Sequence, residues 1–399
     1  MIFPMSDNWW IERDKAYFCG TRLSALFCVD MESLQCELVA WLPESDTVDF
    51  FVHPYCIKYK ESIICLPGTG KEIWNYDIRK AAWEKTEIDN EGQLILSMAS
   101  YRQTDGRIWL LEYDTGKILQ VDLDERIVEK EYHLPRDGKE IYYGEYVLVH
   151  NKLYTTVGNR VYCIDTKSED ITIYEIPDVK AGLYTICYDG ANFWLGGYCK
   201  EIYIWNPKQG LVKALTEFPE RFGVYHFPGA PDIDYNVFSH TTEENPFFGY
   251  SLFLGKHIWL LPTQSNGVIY IDKETYEIRF LEIEDEQETQ ESLERDYANK
   301  FLFEYIREDR YIGIYSILNE RVFEIDTVAL CVNHREYELG GKTILTLGET
   351  FEQYDGRKVF GEKAGQEQIY FNALLKANNV ADNTTIQNIG EQIYHTLNK

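Results

Sequence analysis

One segment of this chain gathers the side chains best suited to chemistry. Tyr225, His226, Asp232, Asp234, Tyr235 and His240 fall in ERFGVYHFPGAPDIDYNVFSHTTEENPFF, which begins at Glu220 and is punctuated by Pro228, Pro231 and Pro246. Their chemistry is that of a binding lid. Aromatic rings stack on a sugar or a peptide, and carboxylates accept hydrogen bonds from hydroxyl or amine groups. An ordered surface loop that packs its Phe and Tyr residues back on the body of the protein fits the same residues. Asp105, Asp189 and Glu145 offer oxygen ligands of the kind hard cations require. The two aspartates also precede glycines, Gly106 and Gly190, and read as hairpin-turn residues.

Other signatures of catalysis are missing. HExxH, GxSxG and the Cys/His spacings of zinc sites do not occur, and no nucleophile stands with its base. His53, His133, His150, His257 and His334 are scattered singly. The run GGKT, Gly340 to Thr343, ends like a phosphate-binding loop, but Glu336 occupies the place of the first required glycine. GTGK at Gly68 falls inside a hairpin pattern. Neither a cofactor nor a metal site is read from these residues.

The elements that must position the candidate residues are repeats. FCGTRLSALFCVD, IICLPGTGKEIWNYD, IWLLEYDTGKILQVD, YTTVGNRVYCID, FWLGGYCKEIYIWN, IWLLPTQSNGVIYID and YIGIYSILNERVFEID superimpose, ending at Asp30, Asp77, Asp122, Asp165, Asn206, Asp272 and Asp326. Each is an apolar strand, a turn, a second apolar strand and an Asx residue whose side chain can bond the backbone two residues on. Intervals of 47, 45, 43, 41, 66 and 54 residues bracket the period of propeller blades, and the longest one holds the insertion at about 220–248. An apolar run before each stretch and another after it expand the repeat to four strands. The first turn is expected at Asp14-Lys15, Asp105-Gly106, Asn151-Lys152, Asp189-Gly190, Gly255-Lys256 and Asp309-Arg310, with Glu61-Ser62 lacking that signature.

The pattern resembles the seven-bladed propeller superfamily, and its apolar-apolar-Asp turn is most similar to the YVTN, NHL and quinoprotein-type repeats, from about Asn8 to Leu339. The resemblance implies an all-β ring of four-stranded antiparallel blades. It carries no family catalytic residue. A two-sheet sandwich also uses short strands and turns, but gives no reason to repeat one four-strand unit seven times. Thirty Tyr, twenty Phe and nine Trp suit the wedges between radial sheets, where Tyr and Trp keep a polar atom for the rim.

The repeats assign residues 1–354 to the propeller and 355–399 to a C-terminal helical extension. KTILTL from Lys342 reads as one more strand that pairs with the first blade and closes the ring. In the extension, Ile386, Ile389, Ile393 and Leu397 form an apolar stripe that either packs on the ring or faces another protein.

Composition narrows the function. A formal charge of −27 repels a phosphate backbone, so no nucleic-acid partner is expected. The acidic run EIEDEQETQESLERD from Glu282 is a solvated connection or a landing site for a basic partner. No basic cluster precedes an apolar core in MIFPMSDNWWIERD, and no membrane span is apparent. Nine cysteines without a CxxC, several inside strand patterns, read as reduced structural thiols and point to the cytoplasm. The expected function is a non-catalytic binding or scaffolding propeller that recognises a protein, peptide or glycan. The alternative is a metal-assisted hydrolase or lyase acting on a carbohydrate or lactone at the channel mouth.

Overall fold

Apolar runs flanked by Asx turns build the same unit seven times. The computed structural model describes residues 6, 8–21, 23–43, 53–68, 72–86, 106–111, 117–125, 127–135, 145–179, 182–223, 247–263, 265–283, 301–316, 321–344 and 346. They form a seven-bladed β-propeller with antiparallel pairing inside every blade. Blade 1 contains Trp10–Glu12, Lys15–Cys19, Ala25–Asp30 and Gln35–Trp41. Blade 2 contains Tyr55–Tyr59, Ser62–Leu66, Ile73–Asp77 and Ala82–Thr86. The described part of blade 3 supplies Arg107–Leu111, Lys117–Asp122 and Ile127–His133. Blade 4 contains Tyr146–Val149, Lys152–Val157, Arg160–Asp165 and Ile171–Glu175. Blade 5 contains Leu183–Tyr188, Phe193–Gly197, Ile202–Asn206 and Gly210–Leu215. Blade 6 contains Phe248–Leu254, His257–Pro262, Gly267–Asp272 and Ile278–Glu282. Blade 7 contains Phe301–Arg307, Tyr311–Ser316, Arg321–Asp326 and Cys331–Arg335.

Burial explains why the two middle strands of each repeat are the legible ones. Val161 to Ile164 and Ile258 to Pro262 are buried without a break, as expected of strands covered on both faces. The fourth strands, such as Ile127–His133, are mostly exposed or half-buried and carry the charged residues. Seven apolar clusters fill the seven junctions between neighbouring blades, from Cys19, Leu26 and Ile63 between blades 1 and 2 to Trp259, Ile312 and Ile325 between blades 6 and 7. A core divided this way requires a closed ring.

The recurring Asx residue does what its chemistry predicts. Each one ends the third strand of its blade and accepts a backbone N–H two residues on, as in Arg79 N to Asp77 Oδ1 at 2.9 Å, Lys208 N to Asn206 Oδ1 at 3.0 Å and Val328 N to Asp326 Oδ1 at 2.9 Å. Equivalent bonds occur at Asp30, Asp122, Asp165 and Asp272. Four residues further on, the chain turns left-handed at Leu34, Ala81, Glu169, Gly210, Tyr276 and Leu330. Glycine serves this position only in blade 5 among the described turns. Backbone N–H groups three and two residues on hold the carboxyls of Asp30, Asp77 and Asp272 below the usual carboxylate range, and those two and three residues on do so at Asp165; at Asp326 the Arg310 guanidinium is the larger cause.

The first hairpins depart from expectation. In blades 1, 2 and 4 the strand pairs Glu12 with Lys15, Tyr59 with Ser62 and Val149 with Lys152. The turns are therefore Arg13-Asp14, Lys60-Glu61 and His150-Asn151, one residue earlier than the sequence suggests. Arg13, Lys60 and His150 take the positive φ themselves, at 57°, 53° and 56°. Strand register across the junctions overrides the local preference for Asx or Gly at that angle.

Closure differs as well. The strand expected from Lys342 is a helical turn, residues 341–344, and the closing strand Glu338–Leu339 lies just before it, parallel to the outer strand of blade 1. Leu38 N donates to the Thr343 hydroxyl at 2.8 Å, and Thr343 donates to Glu37 Oε2 at 2.7 Å, so a side chain meets the sheet where a further strand was expected. Gly340 permits this approach, because a Cβ there would lie 2.0 Å from Glu37 Oε1. The GGKT run thus serves as a latch. At the inner end, Asn8 N and Trp9 N donate to the carbonyls of Phe303 and Glu304 in blade 7.

Candidate functional site

The proposed lid residues Tyr225, His226, Asp232, Asp234, Tyr235 and His240 lie outside the described residues, as do Asp105, most of the acidic run after Glu282 and the segment 355–399. The two ends of the lid segment are described and are firmly tied. Gly223 and Asn266 exchange backbone and side-chain bonds at 2.8 and 3.0 Å, Asn266 Nδ2 donates to Arg221 O at 2.8 Å, and Phe247 N donates to Gly197 O at 2.9 Å. Phe222 packs between Phe218, Phe247 and Phe248 at this base. Lys200 lies 5.9 Å from the Phe222 ring centre, and burial pushes its ammonium below the ordinary lysine value.

Of the other oxygen-ligand candidates, Asp189 is a turn residue. Its Oδ1 accepts from Ala191 N and Asn192 N at 2.7 Å, and its Oδ2 accepts from Trp194 Nε1 at 2.8 Å. Glu145 is different. It precedes the innermost strand of blade 4, is 8% exposed, and its Oε2 accepts from Ser251 N at 2.8 Å and Ser251 Oγ at 3.1 Å. Ser251 belongs to the innermost strand of blade 6, so this carboxylate reaches past blade 5. Glu145 N also donates to Tyr184 O of blade 5 at 2.7 Å.

Glu145 and Ser251 help line a cleft of about 400 Å³ formed by the innermost strands of blades 4, 5 and 6, with Ile306 and Asp309 of blade 7. Tyr188, Tyr250 and Phe253 contribute aromatic walls, and His150 and Asp309, both turn residues, stand at the opposite end of the strands from Glu145. Innermost strands form the edge of each blade, and their backbone groups add polar lining to the side chains. A second cleft, about 380 Å³, lies between blades 3 and 4 beside Trp109, Gln120 and Lys130. Its charges are already matched: Arg107 pairs with Glu129, and Lys130 pairs with Glu169 at 2.8 Å.

Other buried carboxylates have structural partners. Glu304 is fully buried and accepts from Ser6 Oγ at 3.0 Å, while Ser6 accepts from Trp9 Nε1 at 2.8 Å. Glu324 accepts from Tyr305 at 3.0 Å and from Arg307 at 3.1 Å. Glu201 accepts a hydrogen bond from Tyr203. Among the described residues no three His, Cys, Asp or Glu side chains are grouped to hold a metal ion. All nine cysteines are free, and burial pushes the thiols of Cys19, Cys36 and Cys56 far up.

Sequence reasoning singled out Glu145 but missed Ser251, Tyr188, Tyr250 and Asp309 as its companions in one cleft. Only the position of each residue relative to its hairpin marks it as innermost, and that signal is the same in every blade.

No protein-family model matches the sequence, and no curated protein matches it. Solved structures do share the fold. A catalytically inactive virginiamycin B lyase from Staphylococcus aureus, with quinupristin, is 12% identical with a TM-score of 0.55, covering 81% of this chain and 97% of that one. A chain of the mitotic checkpoint complex is 11% identical with a TM-score of 0.52, over 79% of this chain and 85% of its own. A computationally designed protein is 7% identical with a TM-score of 0.51, over 82% and 86%. At such identities the likeness is one of architecture. The chain is a seven-bladed β-propeller. No helix among the described residues is long and apolar enough to cross a membrane.

Proposed function

We propose that this propeller is a binding or scaffolding module that recognises a protein or peptide partner through the mouth of its central channel. The observation that carries the reading is the cleft of blades 4 to 7. Its walls are the innermost strands, held by sheet hydrogen bonds and by the apolar junctions, so that the recognition surface is pre-organised and little ordering entropy is lost on binding. The lid segment, tied at both ends beside blades 5 and 6, supplies further contacts. Its Tyr225, His226, Asp232, Asp234, Tyr235 and His240 serve there as stacking and hydrogen-bonding groups. Nine free cysteines support a reducing compartment, and with it a cytoplasmic location.

The test is affinity capture with the tagged full-length chain beside its Ile306→Arg variant, read by mass spectrometry. Ile306 is 36% exposed at the cleft, so a guanidinium there alters the mouth without entering a core. A protein retained by the wild type and lost from the variant is the expected result. Identical captures by both, or no specific capture, reject the channel-mouth reading.

A further inference from the structure

We propose that the channel cleft receives a basic side chain, arginine or lysine, presented by the partner; this rests on the partner-binding reading and names its ligand. Charge is the first reason. Glu145 and Asp309 stand at opposite ends of the cleft, and its described lining contains no lysine or arginine. In a chain of formal charge −27, a concave low-dielectric surface of one sign concentrates the field on whatever enters. Asp309 is exposed and has no ion-pair partner among the described residues, whereas neighbouring Glu308 pairs with Arg307 at 2.5 Å and Arg310 pairs with Asp326.

The walls are the second reason. Tyr188, Tyr250 and Phe253 line the cleft, and aromatic rings attract ammonium and guanidinium groups. One of them already does so within the chain: the Lys273 ammonium lies 4.8 Å from the Phe253 ring centre. Tyr250 is fixed by stacking on Phe303 at 4.0 Å and 7°, so its orientation is set before any ligand arrives.

Size and geometry complete the argument. A cleft of about 400 Å³ admits a long side chain with its adjoining backbone, not a folded element. Ser251 orients the Glu145 carboxylate through two donors to one oxygen. A long, thin, cationic head group is the ligand that matches an acidic end, aromatic sides and an acidic rim together.

The experiment is calorimetric titration of the full-length chain with the blocked tripeptides Gly-Arg-Gly, Gly-Lys-Gly and Gly-citrulline-Gly. Citrulline keeps the shape of arginine without its charge. The Arg and Lys probes are expected to bind about tenfold tighter than the citrulline probe. Asp309→Asn should weaken the Arg probe about threefold, as for an exposed ion pair. Asparagine tolerates the left-handed φ of 47° at this position, so the fold is kept. Glu145→Gln should weaken it about tenfold, with thermal melting as the check on folding. Equal affinity for the Arg and citrulline probes overturns the proposal, as does Arg binding unchanged by Asp309→Asn. A captured partner that excess Gly-Arg-Gly fails to displace also overturns it, while leaving the partner-binding reading intact.

Discussion

The junction of blades 7 and 1 and the cleft of blades 4 to 7 use the same residue types for opposite ends. At the junction, Trp9 stacks on Phe18 at 5.1 Å and meets Tyr305 and Tyr337 at 5.2 Å, while Glu304 and Glu324 take donors from Ser6, Tyr305 and Arg307. Aromatic rings and carboxylates there face one another and exclude water. In the cleft, Tyr188 and Tyr250 are half-buried, Glu145 is held by Ser251, and Asp309 is exposed without an ion-pair partner among the described residues. A ring whose ends meet without a covalent link has to concentrate interaction at the closure, whereas the proposed mouth keeps an exposed carboxylate, Asp309, at its rim. The ring closure and the proposed recognition surface therefore lie in different sectors of one architecture.

The sharpest way to break that comparison is Trp9→Ala. Trp9 is 3% exposed and touches three aromatic rings, so its loss should cost about 3–5 kcal/mol in urea unfolding. Tyr188→Ala in the cleft should cost well under half of that, and equal costs would dissolve the distinction. Gly313→Ala comes next. A Cβ there would lie 2.3 Å from the Tyr305 ring, which is confined by Glu324 and Tyr337, and the overpacking should cost about 1–3 kcal/mol. Thr343→Val sharpens the role of the GGKT latch. It keeps the shape but strands the Leu38 N–H, for about 1–2 kcal/mol and a lower melting temperature.

The smallest effect is electrostatic and spread round the ring. Turn carboxyls such as Asp272 have folded-state pKa values below their unfolded ones, chiefly through backbone N–H bonds. Their stabilisation is complete above the ordinary carboxylate pKa and is lost as pH falls through the depressed values. Stability should decline below about pH 4, where unfolded carboxylates begin to take up protons. Asp272→Asn should make the slope of unfolding free energy against pH shallower in that range. An unchanged slope would show that the turn bond does not distinguish the two protonation states.

Much of the ring was legible because its signals are local. Asx turns are decided within four residues, and all seven appear where the spacing places them. The continuous burial of the middle strands is likewise written in their apolar runs. Hairpin positions were less legible. At Arg13, Lys60 and His150 a residue with no turn preference adopts positive φ, because cross-strand register and the apolar junctions fix where the chain must reverse. The KTILTL run reads as β by composition, yet Thr343 is recruited to cap the outer edge of blade 1 from 305 positions away.

By itself the sequence determined the blade, its sevenfold recurrence and the chemistry of the turns, since each depends on neighbours within one repeat. Tertiary structure alone decided which residues share the channel. Glu145 and Ser251 are 106 positions apart and come together only because the ring turns successive inner strands toward one axis. No local preference encodes that meeting, which depends on the closure of the annulus rather than on any single blade.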